Sequence, residues 1–125
     1  MNLKIIRLTL PFPPSINHYW KHRVVGRRAQ VYLSKQGVDF KAAVNAVVLQ
    51  STPMQQFTGR VGVSIVLNPP TLRKFDIDNR IKSALDALTG AGVWIDDEQV
   101  DELTVVRGDK VPGGSMTIRI KEINK

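Results

Sequence analysis

Apolar and polar positions alternate or recur with enough regularity to divide the chain into elements. Residues 3–10, LKIIRLTL, are rich in branched side chains and predict a first strand. The stretch PFPPSINHYWKHRVVGRRAQ, residues 11–30, brings prolines, a glycine, aromatics and cations. Proline supplies no backbone donor to a central strand, so an ordered loop is expected there. VYLS, residues 31–34, predicts a short strand, with Ser34 as N-cap of a helix running to about Gln50. Val38, Ala42, Val48 and Leu49 form the expected apolar face of that helix, with Val44 off the best stripe. STPMQQFTG, residues 51–59, breaks the chain, and RVGVSIVLNPP, residues 60–70, predicts the next strand. A second helix starts near Asp76 or Ile77, where Ile77, Ile81, Ala84, Leu85 and Leu88 recur at helical spacing. It stops at TGAGVW, where Gly90 and Gly92 can adopt the left-handed conformation of a helix end. LTVVRG and SMTIRIKEI read as strands joined by the turn signal DKVPGG. The expected fold is α+β: a single compact domain over residues 1–125, with a mixed β-sheet and two main helices packed on one face.

At 125 residues the chain is long enough for one core and not two. Its 42% hydrophobic and 23% charged content is that of a globular protein rather than a disordered one. The absence of cysteine excludes disulfides, thiolate zinc sites and cysteine nucleophiles, and agrees with a reducing cytoplasm. The N-terminus lacks the long apolar core of a signal peptide and no apolar run approaches membrane-spanning length, so a cytoplasmic protein without a membrane partner is expected. The net charge of +7 and pI near 10.1 point to a polyanionic partner, nucleic acid above all.

The charge is unevenly spread. Residues 76–102 hold eight of the eleven acidic residues against only Arg80 and Lys82, a net of −6, which leaves +13 for the rest of a chain whose total is +7. Asp76 and Asp78 flank a strand-to-helix junction. If the backbone there is extended, i and i+2 project to one side; if it is helical they diverge by about 200°. Lys82, four residues after Asp78, sits one turn above it on the same helix face, and Asp86 repeats the step. Aspartates at a helix start also serve as caps and complement the macrodipole, and DDEQVDE also reads as a solvated turn. Gathered in one segment of a basic chain, however, carboxylates suit hard cations such as Mg²⁺ or Mn²⁺, which activate water and offset charge on a phosphodiester. His18 and His22 have the spacing of some zinc sites but lack an adjacent glutamate and an evident third ligand. No P-loop or dinucleotide fingerprint is present, so no nucleotide cofactor is expected. NHYWKHRVVGRR interleaves aromatics with cations, a composition suited to nucleic-acid backbones and unpaired bases; it reads equally as an aromatic cover for the core edge.

Three blocks resemble the RusA-type Holliday junction resolvases of bacteria and their prophages. LPFPPSINHYW, residues 10–20, is similar to that family's N-terminal Leu-Pro-x-Pro-Pro-Ser-x-Asn signature. DIDNRIKSALDALTGAGVWIDDEQV, residues 76–100, is similar to its core motif, and GGSMTIRI to its last strand. The resemblance implies a Mg²⁺-dependent endonuclease, with Mn²⁺ as a substitute, acting as a homodimer that makes paired nicks in four-way DNA junctions. It assigns Asp76, Asp78 and Asp97 as metal-binding and catalytic carboxylates, with Asp96 as the alternative to Asp97, and Lys82 as a catalytic or phosphate-contacting lysine. Arg73, Lys74, Asn79 and Lys82, together with the loop cations Lys21, Arg23, Arg27 and Arg28, are the expected DNA contacts. Phe75 stands where some relatives carry a further cation. Two other readings compete: a non-catalytic DNA-binding or architectural protein, and a metal nuclease for other branched or single-stranded DNA.

Overall fold

Apolar side chains on one face build the buried side of the sheet. The computed structural model describes residues 4–51 and 55–123; Leu3 of the expected first strand and residues 52–54 of the expected break lie outside them. The elements in chain order are β1 (Ile5–Leu10), α1 (Ile16–Tyr19), β2 (Trp20–Val25), β3 (Arg28–Leu33) and α2 (Lys35–Gln50). There follow β4 (Val61–Asn68), α3 (Asp78–Gly90), a 3₁₀ turn (Asp97–Gln99), β5 (Val100–Arg107) and β6 (Ser115–Glu122). One sheet has the order β1-β6-β4-β5, antiparallel except for the parallel pair β4/β5, and β2 and β3 form a separate ribbon. Leu8 and Ile65 both lie opposite Ile118, and Leu10 and Leu67 both lie opposite Met116, so cross-strand rows of apolar residues cover one face. All of these side chains are buried. The DKVPGG turn does not make a hairpin: β4 separates β5 from β6, and the segment crosses over it.

The two main helices form where the sequence predicts them. Ser34 caps α2, its hydroxyl accepting from Gly37 N–H at 3.0 Å. The apolar face of α2 differs from expectation. Gly37, Phe40, Val44 and Val48 are buried, while Val38 and Leu49 are exposed and Val44 has no accessible surface. Phe40 explains the rotation, because the largest apolar side chain of the helix fixes which face turns inward. In α3 the expected stripe holds: Ala84, Leu85 and Leu88 are buried, and Ile77 and Ile81 pack against the core. Gly92, at φ +80°, ends that run in the left-handed region.

Residues 11–30 are more ordered than a loop. Ser15 caps α1, and β2 and β3 pair from Trp20↔Leu33 to Val25↔Arg28. The two-residue turn begins at Gly26, with φ +63°, the position where a hairpin turn requires glycine. Proline excludes strand only as far as Pro14; the branched runs on either side of Gly26 were the hairpin signal. Tyr19 anchors this segment. Its ring is fully buried and its hydroxyl donates to the Asp86 carboxylate at 2.5 Å. Burial, and secondarily that bond, push the phenol well above its ordinary value of 10.0.

Two predictions follow from these contacts. Phe40→Ala is expected to cost about 3–5 kcal/mol in urea unfolding, and Val38→Ala less than about 0.5 kcal/mol; equal effects would contradict the rotated face. The neutral Tyr19 phenol contributes stability that is fully present below its unfolded-state value and is lost as pH rises through the raised folded value. Tyr19→Phe should therefore cost about 2 kcal/mol at neutral pH and flatten the loss of stability above pH 10, measured by urea unfolding at a series of pH values.

Candidate active site

The parallel pairing of β4 with β5 requires a crossover, which α3 supplies. Asp76 and Asp78 lie where the segment after β4 becomes that helix. Ile77, the N-cap, has helical dihedrals (φ −64°, ψ −36°) and no side-chain cap bond forms. The backbone between the two aspartates is therefore helical rather than extended. Asn79 N–H bonds the Asp76 carbonyl and Arg80 N–H the Ile77 carbonyl, both at 3.2 Å, so the backbone of this junction is used while the two carboxylates are not.

The other acidic side chains of residues 76–102 mostly have structural partners. Asp86 accepts from Tyr19, and Asp96 caps the 3₁₀ turn by accepting from Glu98 N–H at 3.2 Å. Arg60 bonds Glu98 and Asp101, at 3.1 Å and 2.6 Å, and these bonds hold its guanidinium above its ordinary pKa. Asp97 meets Lys82, Nζ to Oδ2 at 3.2 Å. The side chains of Asp76, Asp78 and Glu102 make no hydrogen bond or ion pair among the described residues. The structure thus joins Lys82 to Asp97 and sets both near the start of α3. It does not gather Asp76, Asp78 and Asp97 into one cluster: among the described residues no three acidic or histidine side chains are close enough to hold a metal ion together.

Asp97 is positioned by what surrounds it. Trp94 is fully buried, its indole N–H donating to Thr89 Oγ1 at 2.6 Å. The buried Gln99 amide accepts from Ile95 N–H and Asp96 N–H and donates to the carbonyls of Phe57 and Gly59. These contacts and the Asp96 cap fix the turn and leave Asp97 facing α3. Gln99 was not singled out from the sequence, although Asp-x-x-Gln is a capping-box spacing.

The proline-rich segment docks on α3. Arg80 Nη1 donates to Pro13 O at 2.9 Å and Ser83 Oγ to Pro14 O at 2.7 Å. Arg80 lies over the rings of Phe12 and Phe75, burial lowers its pKa, and its Nε is buried without a partner among the described residues. Phe75 meets Phe12 edge to face at 5.3 Å. It also receives Arg107, from the end of β5, over its ring at 4.1 Å and onto its carbonyl at 2.9 Å. Arg107 thus brings a cation beside Phe75 through space. Arg107 escaped the sequence reading because it is distant in the chain; the parallel register that sets Leu67 opposite Arg107 is what brings it near. Leu72, Arg73, Lys74, Phe75, Asp76 and Arg107 line a cleft of about 570 Å³.

The hairpin cations sort by period two. Lys21 lies opposite Tyr32, Arg23 opposite Gln30 and Val25 opposite Arg28, which gives Lys21, Arg23 and Arg28 a common face. Arg23 donates to Gln30 and lies over the Tyr32 ring at 4.8 Å. Arg27 occupies the turn, and Asn79 lies in the first turn of α3. No helix among the described residues is long and apolar enough to cross a membrane.

Comparison with known proteins finds relatives along most of the chain. The family model described as Endodeoxyribonuclease RusA covers residues 11–121. The "Crossover junction endodeoxyribonuclease rusA" of Enterobacteria phage HK97 is 38% identical over 118 residues, 94% of each chain. The proteins of that name from Escherichia coli (strain K12) and Enterobacteria phage 82 are each 34% identical over 116 residues, 93% of each chain. With the matched region running from the docked proline segment through both carboxylate groups to β6, the chain belongs to the Endodeoxyribonuclease RusA family.

Proposed function

We propose that this protein is a Holliday junction resolvase: a metal-dependent endonuclease that makes paired, symmetric nicks in four-way DNA junctions. The observation that carries the reading is a pair of unengaged carboxylates, Asp76 and Asp78, beside the Lys82–Asp97 pair and a cationic cleft in an otherwise basic chain. The relatives named as crossover junction endodeoxyribonucleases support the substrate class.

Asp76, Asp78 and Asp97 are the proposed ligands of Mg²⁺, for which Mn²⁺ substitutes; they are not gathered in the free chain, so binding the ion requires their side chains to converge and Asp97 to leave Lys82. The donor set is all oxygen, which fits a hard cation held by few carboxylates while water and phosphate complete its shell. Such an ion supplies Lewis acidity and a more acidic water. Lys82 orients Asp97 in the free protein and offers a positive charge to the phosphate as negative charge develops on it. Arg73, Lys74, Asn79 and the ribbon residues Lys21, Arg23, Arg27 and Arg28 hold the DNA backbone, and the field they create speeds encounter. Paired nicks on a pseudo-two-fold substrate call for two active sites, so the working form is a homodimer. Its products carry 5′-phosphate and 3′-hydroxyl ends, and it works in the cytoplasm during recombination and repair.

Cleavage of a synthetic four-way junction in Mg²⁺ should stop with EDTA and with Asp78→Asn, while junction binding by Asp78→Asn persists. Binding without cleavage by the native chain in Mg²⁺ and Mn²⁺ would favour a non-catalytic DNA-binding role, and equal cleavage of three-way or linear DNA at the same salt a broader nuclease. The neighbouring aspartates should separate. Asp97→Asn loses cleavage, whereas Asp96→Ala keeps it and loses a cap worth on the order of 1 kcal/mol in thermal unfolding.

A further inference from the structure

We propose that the cleft beside Asp76 is a phosphodiester-binding site in which Arg107 grips a backbone phosphate of the DNA, with Phe75 as the residue that positions it. This rests on the nuclease reading for its substrate but on separate geometry for its site.

Arg107 is exposed and has no carboxylate partner among the described residues, although Asp76 lines the same cleft. Of its five N–H donors, the one with a partner here is on Nη2, bonded to the Phe75 carbonyl. The Phe75 ring beneath the guanidinium, 4.1 Å away, supplies a second fixed point. A planar cation held at two points keeps its orientation, so accepting a bidentate phosphate costs it less rotamer freedom than it costs a free side chain. Arg73 and Lys74, on the same wall, have no side-chain hydrogen bond or ring contact among the described residues. They add charge without a preset direction. Three cations against one carboxylate leave the cleft positive, and that carboxylate is one assigned to the metal. A phosphate seated on Arg107 therefore lies along the strand from the reacting centre, where it would set the register of the DNA against Asp76.

The test is junction binding in EDTA, where no cleavage competes, across a series of KCl concentrations. Arg107→Gln should weaken binding about ten-fold and reduce the salt slope by about one. Arg107→Lys should keep the slope but lose affinity several-fold, because the charge stays and the fork goes. Phe75→Leu should weaken binding with no change of charge. The double variant Phe75→Leu with Arg107→Gln should bind no more weakly than Arg107→Gln alone, since the ring acts through the arginine. Unchanged affinity and slope in Arg107→Gln, or additive losses in the double variant, would overturn the assignment. Thermal unfolding checks folding; if Arg107→Gln is unstable, Arg107→Lys decides, and unchanged affinity there counts against the grip. Phosphates are common to all DNA. A native chain that binds linear duplex as well as junction, with Arg107→Gln weakened on both, would therefore remove the resolvase reading and keep this site.

Discussion

The parallel pairing of β4 and β5 is the constraint on which the rest of the molecule depends. Parallel neighbours cannot be joined by a tight turn, so the chain must leave the end of β4, travel back along the sheet as α3, and re-enter at β5. That path puts the start of α3 and the end of β5 at the same edge of the sheet, which is why Arg107 can reach Phe75 and Asp76 can share its cleft. It also lays α3 over the sheet, with Ala84, Leu85 and Leu88 inward, so that its polar side carries Asp78 and Lys82. Ligand sites in sheets of this kind form beyond the carboxyl ends of parallel strands. Here the carboxylates before and at the start of α3 occupy that place.

The concentration of acidic residues in a basic chain has two physical sources. One is structural: Asp86, Asp96, Glu98 and Asp101 satisfy a buried phenol, a turn and Arg60, and each fixes a segment that bears on the site. Tyr19–Asp86 ties the N-terminal segment to α3, and the turn around Asp96 and Gln99 aims Asp97 at the same helix. The other is left over from packing. The side chains of Asp76 and Asp78 have no hydrogen bond or ion pair among the described residues, and Asp78 serves the fold only by its charge in the first turn of α3. Carboxylates left unengaged in a positive field are the feature on which the proposed cation between them and the DNA rests.

Much of this was legible in the sequence, and the failures have definite causes. The α3 stripe was readable because five apolar residues keep helical spacing without competition. The α2 face was misread because Phe40 was omitted, and one large ring outweighs several valines and alanines. The sequence marked only the end of β3, at VYLS; the rest of the ribbon was missed because the prolines before it were allowed to speak for residues well beyond them. Asp76, Asp78 and Lys82 stood out by residue type and spacing and Asp97 through the family resemblance, whereas Gln99, Arg80 and Arg107 did not. Their significance lies in partners 32 to 67 residues away, and no local pattern encodes such a distance.

Phe75 connects these strands of the argument. In sequence it interrupts a run of cations and lowers the expected affinity for DNA. In space its edge packs on Phe12, which steadies the proline segment, and its face receives Arg107. One ring therefore adds no charge to the run itself and holds an oriented one, Arg107, in the same cleft. For a protein that must find DNA, any cation raises the encounter rate. For one that must cut at a defined bond, a phosphate held at a fixed angle near Asp76 is worth more than another flexible lysine, because a small displacement of the reacting phosphate from the proposed catalytic carboxylates costs orders of magnitude in rate. Replacing charge by position is thus the physical sense of an aromatic residue at the centre of a basic run.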